Sequence, residues 1–139
     1  MQHQSIEAQK NTNEYRVIMP NGIIGFNDLK HYILSELNDP FWELTSVEDN
    51  TIKFIMMELP DLTLGNISYE KADFTNILSA VDLGINDVKV YTIISIDSSD
   101  DGTKSMTVNM RAPFVYNPAS YRGWQLVLAD PKYPIAQVI

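Results

Sequence analysis

The densest group of oxygen-bearing side chains in the sequence is DSSDDG, Asp97 to Gly102. A calcium loop of the EF-hand type wants oxygen ligands at its first, third and fifth places, glycine at the sixth and glutamate at the twelfth. Asp97, Ser99, Asp101 and Gly102 fit the front half of that pattern. Val108 stands where the glutamate should be, and the flanks read as strands, so a solvated hairpin tip is expected instead. The two histidines, His3 and His31, lie far apart with no cysteine and no HxH or HExxH spacing, which argues against a transition-metal site. No serine sits in a G-x-S-x-G setting that would give His31 a nucleophile to activate. Paired carboxylates occur at Glu48-Asp49, at Asp100-Asp101 and at Glu70 with Asp73. All fall at turns or at a helix start, where carboxylates are solvated, whereas general acid catalysis wants an apolar pocket. Gly22 and Gly25 form G-x-x-G with no lysine placed to cradle phosphate. The expectation is a protein without catalytic, metal or cofactor residues.

A different pattern stands out in TVNMRAPFVYN, Thr107 to Asn117. Val108, Met110, Ala112, Phe114 and Tyr116 share one face of a strand, and that face reads as core. The other face carries Asn109, Arg111, Pro113 and Asn117, with Val115 its apolar exception. Pro113 removes a ladder hydrogen bond, which predicts either an edge strand or a bulge. Asn109 and Asn117 offer donors and acceptors, and Arg111 offers a planar fork. These residues are either fold devices or groups that face a partner.

The elements that hold them read as follows. Glu14 to Met19 is a strand, Asn21-Gly22 a turn, and Asn27 a cap for a helical turn over Asp28 to Lys30. His31 to Leu37, Phe41 to Val47 and Thr51 to Leu59 are strands, the last apolar on both faces. Pro60 to Asn66 is a loop. Asp73 to Leu83 is the best helix, with Asp73 as N-cap, Phe74, Ile77, Leu78 and Val81 as its stripe, and Gly84 at its C-terminal cap. Strands follow at Val88 to Ile96, Lys104 to Tyr116 and Trp124 to Leu128, then a turn at Asp130-Pro131-Lys132 and a short extended end. The fold class is therefore mainly β: an antiparallel sandwich or barrel of about seven or eight strands with one or two short helices. One domain is expected over residues 14–139, preceded by a flexible tail over 1–13.

The totals narrow the partners. Ten Lys and Arg against eighteen Asp and Glu give a net charge of −8. Such a surface repels phosphate backbones, so direct nucleic-acid binding is disfavoured. It favours either solubility alone or fast encounter with a basic partner. The absence of cysteine fits a reducing cytoplasm. The polar N-terminus has no apolar segment of the kind a secretory signal needs, and no apolar run is long enough to span a bilayer. With no large apolar run left for an interface, a monomer is expected.

NGIIGF (Asn21 to Phe26), DPFWELTSVEDN (Asp39 to Asn50), TVNMRAPFVYN and GWQLVLAD (Gly123 to Asp130), followed by Tyr133-Pro134-Ile135, resemble in order and spacing the FliW family of flagellar assembly factors. The resemblance runs from about Tyr15 to the C-terminus. It implies a cytoplasmic pseudo-barrel with no catalytic activity. It also implies binding to newly made flagellin and to CsrA, a basic RNA-binding repressor of flagellin translation, so that synthesis follows export. Where the family usually has a segment ending Pro-Asp-Tyr, this chain has Pro60-Asp61-Leu62 and its next tyrosine at Tyr69. The residues expected to meet partners are Asn109, Arg111 and Asn117 through directional hydrogen bonds. Glu48, Asp49, Glu70 and Asp73 would act through acidic steering. The competing reading is a β-barrel that binds a small ligand, which would need inward gaps and an open mouth.

Overall fold

Strands of alternating polarity build one continuous sheet whose two ends meet. The computed structural model describes residues 13–139; His3 and the tail expected before Asn13 lie outside the described residues. The sheet comprises β1 (Glu14–Ile18), β2 (His31–Glu36), β3 (Phe41–Ser46), β4 (Lys53–Glu58), β7 (Lys89–Ser98), β8 (Lys104–Asn117), β9 (Arg122–Gln125) and β10 (Gln137–Val138). A small separate hairpin pairs β5 (Thr63–Leu64), within the segment Pro60 to Asn66 read as a loop, with β6 (Ile67–Ser68) just after it, and turns at Gly65 with a φ of +60°. The sheet order is β10-β8-β7-β4-β3-β2-β1-β9. A further pairing of β9 with β8 closes seven of these strands into a barrel and leaves β10 outside. Neighbours are antiparallel except at the seam, where Ile18 of β1 meets Arg122 of β9 in parallel.

Two apolar clusters result. One fills the barrel: Tyr32, Leu34, Leu44, Met56, Tyr91 and Phe114, each no more than 1% exposed, lie in it with Val17, Met19 and Trp42. The other lies outside the wall of β7 and β8, where Phe74 and Leu78 meet Val90, Val108, Met110, Val115, Leu126 and Tyr133. Burying two such layers is the main favourable term for a chain of this size.

Strand β8 serves both clusters, and it changes faces to do so. Val108 and Met110 lie in the outer cluster, whereas Phe114 and Tyr116 lie inside the barrel. The single alternating face expected from the sequence is therefore corrected. The cause is a bulge: Tyr91 of β7 pairs with Phe114, yet Ile93 pairs with Asn109, so residues 110–113 of β8 find no partner on β7. An extra stretch of residues on one strand shifts the side-chain phase by breaking the period of two. Pro113 sits in this bulge and is buried inside the sheet, which decides between the edge and the bulge that its missing N–H allowed.

Helix α1 spans Lys71–Leu78, starting earlier than its expected Asp73 cap. Glu70 is the N-cap residue and gives no side-chain cap bond. Asp73 lies in the first turn, where a carboxylate still complements the positive end of the helix. A 3-10 turn over Ser79–Val81 follows. Asp82 then takes the left-handed conformation expected of Gly84, with φ +60°, and Leu83 N donates to Leu78 O at 3.0 Å. That bond closes the helix one turn before the glycine. The helical turn expected over Asp28 to Lys30 does not form; turns and an Ile23–Phe26 bridge occupy the segment.

Candidate partner-binding surface

The bulge exposes backbone N–H groups that the ladder would otherwise pair, and a buried unpaired donor is costly. Asn109 answers this. Its side-chain oxygen accepts from Arg111 N and from Ala112 N, both at 3.0 Å. On the other side of β8, Leu126 N donates to Pro113 O and Leu128 N to Arg111 O, each at 2.8 Å. The strand read as Trp124 to Leu128 thus ends as β9 at Gln125, and the chain beyond it continues the contact through the bulge's carbonyls.

Arg111 points along the C-terminal segment. Its Nε donates to Tyr133 O at 2.9 Å and its Nη2 to Pro131 O at 3.2 Å, while Met110 N donates to Pro134 O at 2.9 Å. Tyr133 is fully buried and carries the clasp onward to α1: its hydroxyl donates to Asp73 Oδ2 at 2.5 Å and accepts from Glu70 N at 2.9 Å. Beside it, Tyr69 packs at 5.0 Å between ring centroids and donates to Met110 O at 2.6 Å. Burial raises the ionisation of both hydroxyls above the ordinary tyrosine range, and the Asp73 carboxylate adds to the effect at Tyr133. Glu70 pairs with Lys132, which also lies 3.6 Å from Asp130. Four expected residues, Asn109, Arg111, Glu70 and Asp73, are thereby brought into one network around Tyr133.

The remaining three lie elsewhere. Asn117 is buried at 4% exposure; its Nδ2 donates to Asp87 O at 3.0 Å and its oxygen accepts from Ser120 N at 2.8 Å. Glu48 accepts from His31 N at 2.9 Å, contacts His31 Nδ1 at 3.1 Å, and accepts from Lys30 N at 3.2 Å. These bonds to the charged form, the His31 backbone first, pull its carboxyl from 4.5 down to about 2. Asp49 accepts from Thr51 N and Oγ1 at 3.1 and 2.6 Å, and is likewise held low. In the DSSDDG tip Asp101 accepts from Thr103 N at 3.0 Å. Among the described residues no three acid or histidine side chains stand close enough to share a metal ion.

What stays open to a partner lies on the outside. A cleft of about 460 Å³ runs between α1 and the segment that follows β9. Ile77, Val127 and Ala129 supply apolar surface, and Asp73, Asp130 and Asn76 supply polar edges. Val127 is 59% exposed although it lies between buried Leu126 and Leu128. Of the residues lining this cleft the sequence reading named Asp73, for acidic steering, but neither Val127 nor Asp130, nor Tyr133 that bonds Asp73 beside it. The only available signal was that Tyr133-Pro134-Ile135 and GWQLVLAD belong to the same resemblance as the β8 motif. The barrel interior is packed by its own side chains and leaves at one mouth a pit of about 70 Å³, too small for a whole small-molecule ligand. No helix of the described residues is long and apolar enough to cross a membrane.

A closed seven-strand barrel, flanked by helix α1 and with most of its singular polar groups tied into its own backbone, is the class the described residues define. Comparison with known proteins narrows it. A family model described as FliW protein matches residues 1–139, and the chain belongs to the FliW family of flagellar assembly factors. It is similar to the flagellar assembly factor FliW of Natranaerobius thermophilus, with 35% identity over 125 residues, covering 87% of this chain and 80% of that one. The Alkaliphilus metalliredigens protein of the same name is also 35% identical, over 126 residues, covering 87% and 74%. A crystal structure of the flagellar assembly factor FliW superposes with a TM-score of 0.68 at 26% identity, covering 88% of this chain and 84% of that one.

Proposed function

We propose that this flagellar assembly factor is a cytoplasmic, monomeric binding protein. It engages newly made flagellin and a CsrA-like repressor in turn, so that flagellin synthesis follows export. The observation that carries the reading is the cleft beside α1, apolar along Ile77 and Val127 and edged by Asp73 and Asp130, in a chain of net charge −8. Apolar contact supplies affinity, and the acids steer a basic partner into register. Glu70 reinforces that edge, while Glu48 and Asp49 add a second acidic patch at the β3–β4 turn. On this reading Asn109 and Arg111 act by position, holding the clasp beside the cleft, and Asn117 acts by position elsewhere, tying the end of β8 to Asp87.

The test is calorimetric titration of the full chain with purified flagellin and, separately, with a CsrA-like protein, then each in competition with the other. One-to-one binding that weakens as salt rises, with each partner displacing the other, supports the reading. Val127→Arg, at an exposed site, should abolish binding without lowering the melting temperature. Unimpaired binding by that variant would move the interface away from this cleft.

A further inference from the structure

The barrel's mouth, on the side where β2 and β4 end and β3 and β7 begin, is lined by aromatic side chains at inward-facing register positions. Tyr15 lies opposite Leu34, Glu36 opposite Trp42, Tyr91 opposite Glu58, and Lys89 opposite Tyr116. Tyr15, Trp42, Tyr91 and Tyr116 together with Lys89 and Pro118 wall a pit of about 70 Å³ over the buried Leu34. Trp42 stands 6.0 Å from Tyr15 and 5.8 Å from Tyr91, centroid to centroid, the latter edge to face. Trp42 Nε1 donates to Glu58 Oε1 at 3.1 Å, which fixes a carboxylate against this wall. Tyr91 is 1% exposed and forms the closed base of the pit beside Leu34.

Aromatic faces present negative charge and attract a cation, most strongly when carboxylates stand nearby and water is excluded. Glu36 and Glu58 supply two negative charges at this rim; Lys89 stands on it, and the Arg16 guanidinium, 4.7 Å over the Tyr121 ring, lies on the side of Tyr116. Lys89 makes no ion pair with either carboxylate among the described residues and lies over no ring. A pit this small lies far below the hundreds of cubic ångströms that hold a whole small-molecule ligand. It suits one planar side-chain head. Lys89 also walls a neighbouring cleft of about 490 Å³, bordered by Glu58, Pro60 and Lys71, which leaves room for the chain that carries the head.

From this arrangement we propose that the barrel mouth is a receptor for an arginine side chain of a protein partner, its guanidinium laid on the exposed ring of Tyr15 against Trp42 and balanced by Glu58 and Glu36. A guanidinium fits better than an ammonium because it is flat, weakly hydrated and able to donate to a carboxylate and a phenol oxygen together. The inference deepens the reading of a basic partner and rests on it for the origin of the arginine, but the pit shares no residue with the α1 cleft.

The test follows the indole N–H resonance of Trp42 by NMR while the full chain is titrated with N-acetyl-arginine methylamide or with the neutral isostere N-acetyl-citrulline methylamide. Trp124, outside the pit, serves as the internal control. Saturable shifts at Trp42 with the arginine amide alone support the proposal. Glu58→Gln keeps an acceptor for Trp42 but removes charge, and should weaken binding roughly threefold or more; Lys89→Gln should tighten it. Equal response to both amides, no response to either, or weaker binding by Lys89→Gln would overturn it. If the arginine amide fails while flagellin still binds and Val127→Arg still abolishes that binding, the mouth proposal falls and the α1-cleft reading stands.

Discussion

Replacing Arg111 with alanine separates scaffold from interface. The guanidinium donates to two backbone carbonyls, Tyr133 O and Pro131 O, at 2.9 and 3.2 Å. Hydrogen bonds with a charged donor contribute about 1.5–3 kcal/mol each when buried. Arg111 is only partly buried, so water re-solvates some of what is lost, and about 2 kcal/mol in total is expected. For a chain of this length about 1 kcal/mol corresponds to roughly 3–4 °C, so Arg111→Ala should melt about 6–8 °C lower. Arg111→Lys keeps the charge but not the fork and should recover less than half of the loss. The assay is scanning calorimetry of the three proteins, with flagellin titration run well below every melting temperature. The expected result is a lowered melting temperature with near-normal affinity in the cold. An unchanged melting temperature with binding reduced tenfold or more would refute the clasp and make Arg111 a contact residue.

Asn109→Ala leaves the N–H groups of Arg111 and Ala112 without their acceptor and should cost about 2 kcal/mol or more, whereas Asn109→Asp keeps an acceptor and should cost less; chemical denaturation of both variants checks this. Gly123→Ala would bring a Cβ within 2.7 Å of the Phe114 ring and 3.0 Å of Val17, so overpacking of about 1–3 kcal/mol is expected from the same measurement. Glu48 has a folded-state pKa of about 2, below its ordinary 4.5. Its stabilising contribution is therefore full above about pH 4.5 and lost as pH falls through 2. Melting curves between those limits should slope less for Glu48→Gln than for the parent chain, and equal slopes would remove Glu48 from the balance.

Strand positions were legible because their signal is local. Alternation and turn residues located β1 to β4 and β7 to β9 within a few residues. The phase of β8 was not legible, because a bulge leaves alternation intact in the sequence while moving Phe114 and Met110 to opposite sides of the sheet. The helix start was misplaced for a related reason: Asp73 looks like a cap, but its carboxylate is engaged by Tyr133, 60 residues away. Asn109, Arg111 and Asn117 stand out in the sequence as unusual for a strand, and in the structure all three bond backbone groups of their own chain. Asn109 bonds its own neighbours Arg111 and Ala112, but the long-range partners of Arg111 and Asn117, namely Tyr133, Pro131 and Asp87, are joined to them only by the fold. The position of the α1 cleft, assembled from two segments far apart in sequence, was beyond any local pattern.

The seam between β1 and β9 has a consequence for synthesis. Ile18 meets Arg122, and β9 bonds β8 on its other side. A ribosome must therefore release nearly the whole chain before the ring can shut. Until then β1 and β8 are open sheet edges, the form in which strands pair with the wrong neighbour. Closure across so long a stretch of sequence is also intrinsically slow. Truncation anywhere before Arg122 should thus yield an aggregating product rather than a smaller barrel, and the segment after Gln125, held by Arg111 and Asp73 through Tyr133, acts as the bolt on a door that β9 closes.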